Sequence, residues 1–233
     1  EWYNLSTALR QTSTGALFVW PLYLPMAILG VPPLVFVAVS LIDLLYQYWV
    51  HTELVGKLGW LDRVFVTPSN HRVHHGQNDW CIDRNYGGIL ILWDRLFGTF
   101  AEERDDERVV YGIRKPLASY DPLWGNLHVY RELWVAARAE PTWRSAIRRW
   151  FAKPAGDTPV PHLDPRSVRR FAPPNSRATL GYATSQYALL VPIVTYFIAV
   201  APSLSPVART TYALVILASA VGIGGWLEDR AHG

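Results

Sequence analysis

Residues 178–208 read ATLGYATSQYALLVPIVTYFIAVAPSLSPVA, 31 residues without one Asp, Glu, Lys or Arg. A helix rises ~1.5 Å per residue, so about 20 residues cross the ~30 Å hydrocarbon core of a bilayer. The run is longer than one crossing needs, and it is interrupted at Pro202 and Pro206. Each proline removes a backbone donor and disfavours helix in the residue before it. Two apolar helices joined by a tight connection are therefore expected, over about 179–200 and 207–227. Residues 11–42, QTSTGALFVWPLYLPMAILGVPPLVFVAVSLI, form a second uncharged run of 32 residues, broken at Pro32-Pro33. It predicts another hairpin, about 13–30 with 33–50.

Between the two runs the character reverses. Residues 53–177 carry 19 Lys/Arg and 15 Asp/Glu, leaving seven charged residues for the rest of the chain. A chain that is apolar at both ends and polar in the middle predicts an all-α integral membrane protein. Its transmembrane helical hairpins would carry a cytosolic, mostly helical cap; two helical pairs buried in a large soluble core are the alternative. Trp20, Tyr23, Tyr46, Tyr48, Trp49, Tyr182, Tyr187 and Trp226 fall near the ends of the apolar segments, where an aromatic belt would sit. Two hairpins place the middle on the same side as both termini. Its many Lys and Arg make that side cytoplasmic, at a bacterial inner membrane or endoplasmic reticulum. A net charge of +3 gives no reason to expect a nucleic-acid partner.

Within the polar middle, 102–177 reads as a cytosolic amphipathic segment preceding the second hairpin at 178–227. Trp143, Ile147, Trp150 and Phe151 share one helical face, with Arg144, Arg148, Arg149 and Lys153 on the rest. Leu127, Tyr130, Trp134 and Ala137 recur at the same spacing, and EERDDER (102–108) reads as a solvated loop.

The single Cys81 excludes a disulfide framework and a cysteine-based zinc ribbon, so any metal must be held by His, Asp or Glu. Three of the seven histidines lie within SNHRVHHG (69–76) as His71, His74 and His75. At i, i+3 and i+4 on a helix their rings project from one face, as converging metal ligands must. Ser69 or Asn70 would cap that helix after Pro68, and Gly76 would close it. His51 follows the first apolar hairpin and is the fourth candidate ligand, with Gln47 one turn earlier. Asp83, Asn85 and Asp94 are candidates to orient the rings, and Tyr86-Gly87-Gly88 to bring the chain close to them. Imidazole alone does not select among zinc, copper, iron and nickel.

SNHRVHHG, DRNYGG (83–88) and LWDRLFGTF (92–100) together resemble the C-terminal histidine cluster of the fatty acid hydroxylase / sterol desaturase superfamily. NLSTALRQ (4–11) and YQYWVHTE (46–53) resemble in particular its alkylglycerol monooxygenase-like branch. The motifs cover residues 1–101, so the resemblance makes this the C-terminal part of the hydroxylase-like domain, hairpin 13–50 followed by a histidine cap 51–101.

That resemblance implies a non-haem di-iron centre on cytosolic elements above a transmembrane bundle. There O₂ is used to hydroxylate or desaturate a membrane lipid, with tetrahydrobiopterin or another external electron donor. It matches His51 to an isolated ligand, and His71, His74 and His75 to the final cluster. The family's upstream HxxxH and first HxxHH have no counterpart here. The chain is thus expected to be a C-terminal portion with about half the ligands, inactive by itself. A membrane protein with structural zinc, or a divalent-metal transporter, are the alternatives; the histidines' place outside the apolar runs speaks against the latter.

Overall fold

The computed structural model describes residues 3–8, 19–152, 161–169 and 171–228. Its helices are α1 (Leu5–Ala8), α2 (Leu24–Ile28), α3 (Pro33–Trp49), α4 (Pro68–His74), α5 (Leu92–Phe97), α6 (Pro122–Arg138), α7 (Trp143–Trp150), α8 (Arg177–Val200) and α9 (Pro206–Leu227). Among the described residues extended pairing is limited to two isolated bridges, Phe65 with Leu90 and Gly76 with Tyr111. The chain divides into two compact units, Glu1–Pro116 with Val160–Arg170, and Leu117–Pro159 with Phe171–Gly233.

In the first unit the apolar run breaks up where prolines fall. Trp20–Tyr23 is a 3-10 turn with Pro21 early in it, and α2, with Pro25 early in it, lasts five residues. A longer first arm from residue 13 begins outside the described residues. Gly30, at φ +80°, and extended Pro32 then turn the chain into α3, a 17-residue apolar helix. α3 delivers Val50 and His51 directly into the buried part of the unit. Around them Tyr3, Val73, Cys81, Val109 and Tyr111 form a small core, flanked by Trp80 and Ala101.

α4 begins earlier than its capping pattern predicts. Thr67 is the extended residue before it, and Ser69 and Asn70 lie inside the helix. Asn70 instead donates its amide to the carbonyls of Asp62 and Phe65, which fixes the chain entering α4. His75 is the cap residue and Gly76 follows it directly, its N–H donating back to the Val73 carbonyl.

EERDDER is only partly the solvated loop its charges imply. Glu103 accepts a two-pronged bond from Arg72 (2.7 and 2.6 Å) and one from Ser69 Oγ (2.8 Å). The remaining Arg72 nitrogen donates to the carbonyls of Thr52 and Val55. One arginine on the back of α4 thus binds the helix to the chain after His51 and to the 102–108 segment.

In the second unit α8 and α9 are the described helices long and apolar enough to cross a membrane. At 24 and 22 residues they span about 36 and 33 Å. Ala183 and Gly224 are their buried residues, Phe197 stacks on Tyr212 between them, and most of their other apolar side chains, among them Leu189, Ile193, Ile198, Val207, Leu214 and Val215, are exposed, a surface that water would leave unsatisfied. Both amphipathic stretches are helical, as their spacing predicts: α6 starts on Asp121, whose carboxylate accepts from Leu123 N and Trp124 N, and α7 on a Thr142–Ser145 capping box.

Candidate metal centre

Ring nitrogens of His51, His71 and His75 lie within 4.8 Å of one another. His71 stands within α4 and His75 at its end, where a spacing of four stacks them on one face, and His51 comes from the end of α3. His75 Nε2 is 3.2 Å from His71 Nε2. Two nitrogens each at ~2.1 Å from one metal, at tetrahedral or octahedral angles, are about 3.0–3.4 Å apart. The separation therefore fits a single cation held by both.

His51 is oriented by its other nitrogen. Nδ1 is 3.0 Å from the carbonyl oxygen of Asn4, an acceptor only, so Nδ1 carries the proton and Nε2 keeps its lone pair for a metal. The ring is stacked on Tyr3 at 4.1 Å between centroids, and Tyr3 is itself stacked on Tyr111 at 4.5 Å. The Tyr3 hydroxyl donates to the carbonyl of Val50, and that of Tyr111 to Glu53. Burial, with the Glu53 carboxylate next, raises the Tyr111 phenol above its ordinary value.

Burial, and then the neighbouring imidazoles of His75, His74 and His51, push His71 down to about 2. It is a neutral donor at any physiological pH. His74 stands apart from the three-nitrogen group. Its ring is stacked on that of His71 at 5.6 Å and lies 6.0 Å from that of Tyr86. Burial and His75 lower its pKa, while the carbonyls of Arg84 and Asn85 act in the other direction. His74, Cys81, Asp83, Arg84, Tyr86 and Arg114 line a cleft beside the cluster.

The remaining sequence candidates act on the chain that frames the histidines. Asp94 accepts from the N–H groups of Tyr86 (2.7 Å) and Gly87 (2.8 Å) and from Thr99 Oγ1 (2.6 Å). Asn85, at φ +54°, donates to the carbonyls of Asn70 and Ala101 and accepts from Ala101 N, so it ties this loop to the middle of α4. Asp83 accepts from the Tyr86 hydroxyl at the exposed rim. Gln47 donates to Asp43 at 2.6 Å, and the pair lies against Gly88. A Cβ at Gly88 would collide with Asp43 Oδ1, so the Gly87-Gly88 turn makes its close approach to α3.

The sequence assigns no role at the centre to Tyr3 or Tyr111, and although Asn4 opens NLSTALRQ and Glu103 lies in EERDDER, neither motif reveals the contact its residue makes. A carbonyl acceptor has no sequence signature. Tyr3 and Tyr111 are 108 positions apart with no periodicity linking them.

Residues 1–99 match the model of the fatty acid hydroxylase family. The chain belongs to that family. Over 238 residues it is 36% identical to alkylglycerol monooxygenase of Homo sapiens, an alignment covering 99% of this chain and 53% of the relative. It is 52% identical to alkylglycerol monooxygenase of Danio rerio over 130 residues, 56% of this chain and 28% of the relative. Ornithine lipid hydroxylase OlsE of Rhizobium tropici is 35% identical over 77 residues, 33% of this chain and 23% of that protein. The chain thus spans about half the length of the human relative. No solved structure matches it.

Proposed function

We propose that this fatty acid hydroxylase-family chain is part of a membrane lipid monooxygenase in which His51, His71 and His75 hold iron and His74 serves a second iron beside it. The observation that carries this reading is the gathering of three imidazole nitrogens within 4.8 Å. When bound, iron supplies the reduction of O₂ and the removal of hydrogen from a substrate carbon, chemistry no side chain here provides.

The protein's own part is to build and shield the place where that happens. Asn4 and the Tyr3 ring hold His51 in one orientation and one tautomer. Tyr3, Val73 and Tyr111 exclude water behind the cluster. Asp94 and Asn85 hold the 83–101 loop against α4, so the ring pair on that helix keeps its spacing while substrate and product exchange.

The substrate follows from the relatives' names and the setting. An alkylglycerol or another lipid presents its chain beside apolar helices, and the histidine cap faces the cytoplasm, where tetrahydrobiopterin or another soluble donor reaches it. The test is an assay of the complete protein in lipid vesicles with iron, donor and an alkylglycerol. O₂-dependent appearance of hydroxylated lipid is expected. Bound zinc with no lipid oxidation under iron and reductant would defeat the reading.

A further inference from the structure

α7 carries two surfaces that solvent alone does not explain. Trp143, Ile147, Trp150 and Phe151 lie on one side and are all exposed, Trp143 at 69% and Phe151 at 86%. Arg144, Arg148 and Arg149 occupy the rest, and Trp143–Trp150 contains no acidic residue. Among the described residues none of these arginines is ion-paired; Arg144 lies over the Trp143 ring at 5.3 Å. A helix with aromatics on one side and arginine as the sole charged residue type on the other matches the boundary between acyl chains and anionic headgroups.

The surrounding unit points to the same partner. α7 packs on α6. The start of α6 sits on the last turn of α9, where a Cβ at Gly224 would come within 2.5 Å of the Tyr120 carbonyl. Ser119 donates to Glu228, and Asn175, just before α8, donates to the Leu227 carbonyl. The α6–α7 pair therefore leaves from the end of the two long apolar helices. Trp134 on α6 is exposed too, with Arg138 over its ring at 5.9 Å.

We propose that α7 lies in the headgroup layer of an anionic lipid leaflet, with Trp143, Ile147, Trp150 and Phe151 among the acyl chains and Arg144, Arg148 and Arg149 on the lipid phosphates. The proposal rests on α8 and α9 crossing that bilayer, and the experiment separates the two. The full chain, with Cys81 replaced by alanine, carries a single nitroxide label at Phe151→Cys, Arg149→Cys or Leu189→Cys. It is reconstituted in phosphatidylcholine vesicles with and without phosphatidylglycerol, and collision with O₂ is compared with collision with a water-soluble nickel chelate. The O₂-to-nickel ratio is expected to be several-fold higher at 151 than at 149, to rise at 151 with phosphatidylglycerol, and to lose that rise in R144Q/R148Q/R149Q. A label at 189 shielded from nickel while 151 and 149 are both open to it overturns the α7 proposal and leaves the spanning helices standing. Nickel access at 189 as well overturns both. Shielding of 151 from both reagents means a protein covers the face, and overturns the lipid assignment. Should the cysteine variants fail to fold, quenching by bromine-labelled lipid decides: it should weaken when Trp143 and Trp150 become Phe, and unchanged quenching contradicts the proposal.

Discussion

Nδ1 of His51 lies 3.0 Å from the carbonyl oxygen of Asn4, 47 residues earlier in the chain. The neighbouring Tyr3 stacks on the same ring and bonds the carbonyl of Val50. A backbone carbonyl cannot be removed by substitution, but the stack that holds it in place can.

Tyr3→Ala removes the ring lying between His51 and Tyr111. It is expected to cost about 3–5 kcal/mol, as for other buried aromatic truncations. Tyr3→Phe keeps the stack and loses one hydrogen bond, about 1 kcal/mol. Iron affinity should fall roughly 10–100-fold in Tyr3→Ala, as for other groups that orient metal ligands, and hardly at all in Tyr3→Phe. Equal loss in both would mean that the hydroxyl, not the ring, positions His51.

Glu103 is the partner of the buried Arg72. Glu103→Ala leaves that guanidinium with its two carbonyl bonds but no countercharge, which should cost about 3 kcal/mol or more. Chemical denaturation of the variant would read this; a loss under about 0.5 kcal/mol would place the pair among surface ion pairs of little consequence.

Gly88→Ala is expected to push the 86–90 turn off α3, since Asp43 Oδ1 occupies the space a Cβ needs. A loss of about 1–3 kcal/mol is expected, as for other overpacked sites. It should be relieved by adding Asp43→Ala, and a double variant no better than the single one would contradict the contact.

Asp79 is held down to about 2, first by the bond from Arg114 and then by His162, and it also accepts from Leu163 N. A carboxylate depressed in the folded state stabilises above its ordinary value near 3.8 and loses that contribution as pH falls toward 2. The attachment of residues 161–169 should therefore weaken through that interval, with pepsin cleavage there rising as pH falls. In Asp79→Asn the cleavage should already be high at the upper end. A variant with the wild-type profile would show that Asp79 is not the anchor.

Burial pushes the Cys81 thiol up to about 12. The native protein should leave it unmodified by a thiol reagent at pH near 8 and expose it on unfolding. Fast native-state labelling would contradict its place in the core.

The parts of this protein legible in sequence are those set by local repetition. The uncharged run 178–208 predicts α8, the connection at Pro202–Pro206 and the start of α9, and the spacing of His71 and His75 is enough to put their rings on one face of α4. Position within the first run is harder to read, because Pro21 and Pro25 fall inside a stretch whose composition alone suits a long helix. His74 shares the motif with its neighbours, yet 100° per residue turns it toward Tyr86 and the cleft. What composition hides altogether are long-range pairs: Arg72 with Glu103, Tyr3 with Tyr111, Asn4 with His51. Such contacts depend on how the loops close, and no pattern of spacing records that.

The most direct test of a histidine-held iron site is the iron content per chain of the complete protein, purified with iron supplied, for the wild type and for His51→Ala, His71→Ala and His75→Ala. Iron should be bound in the wild type and lost in each of the three variants, with folding checked by circular dichroism. Iron retained at the wild-type level in any folded variant, or zinc in its place throughout, would contradict the assignment.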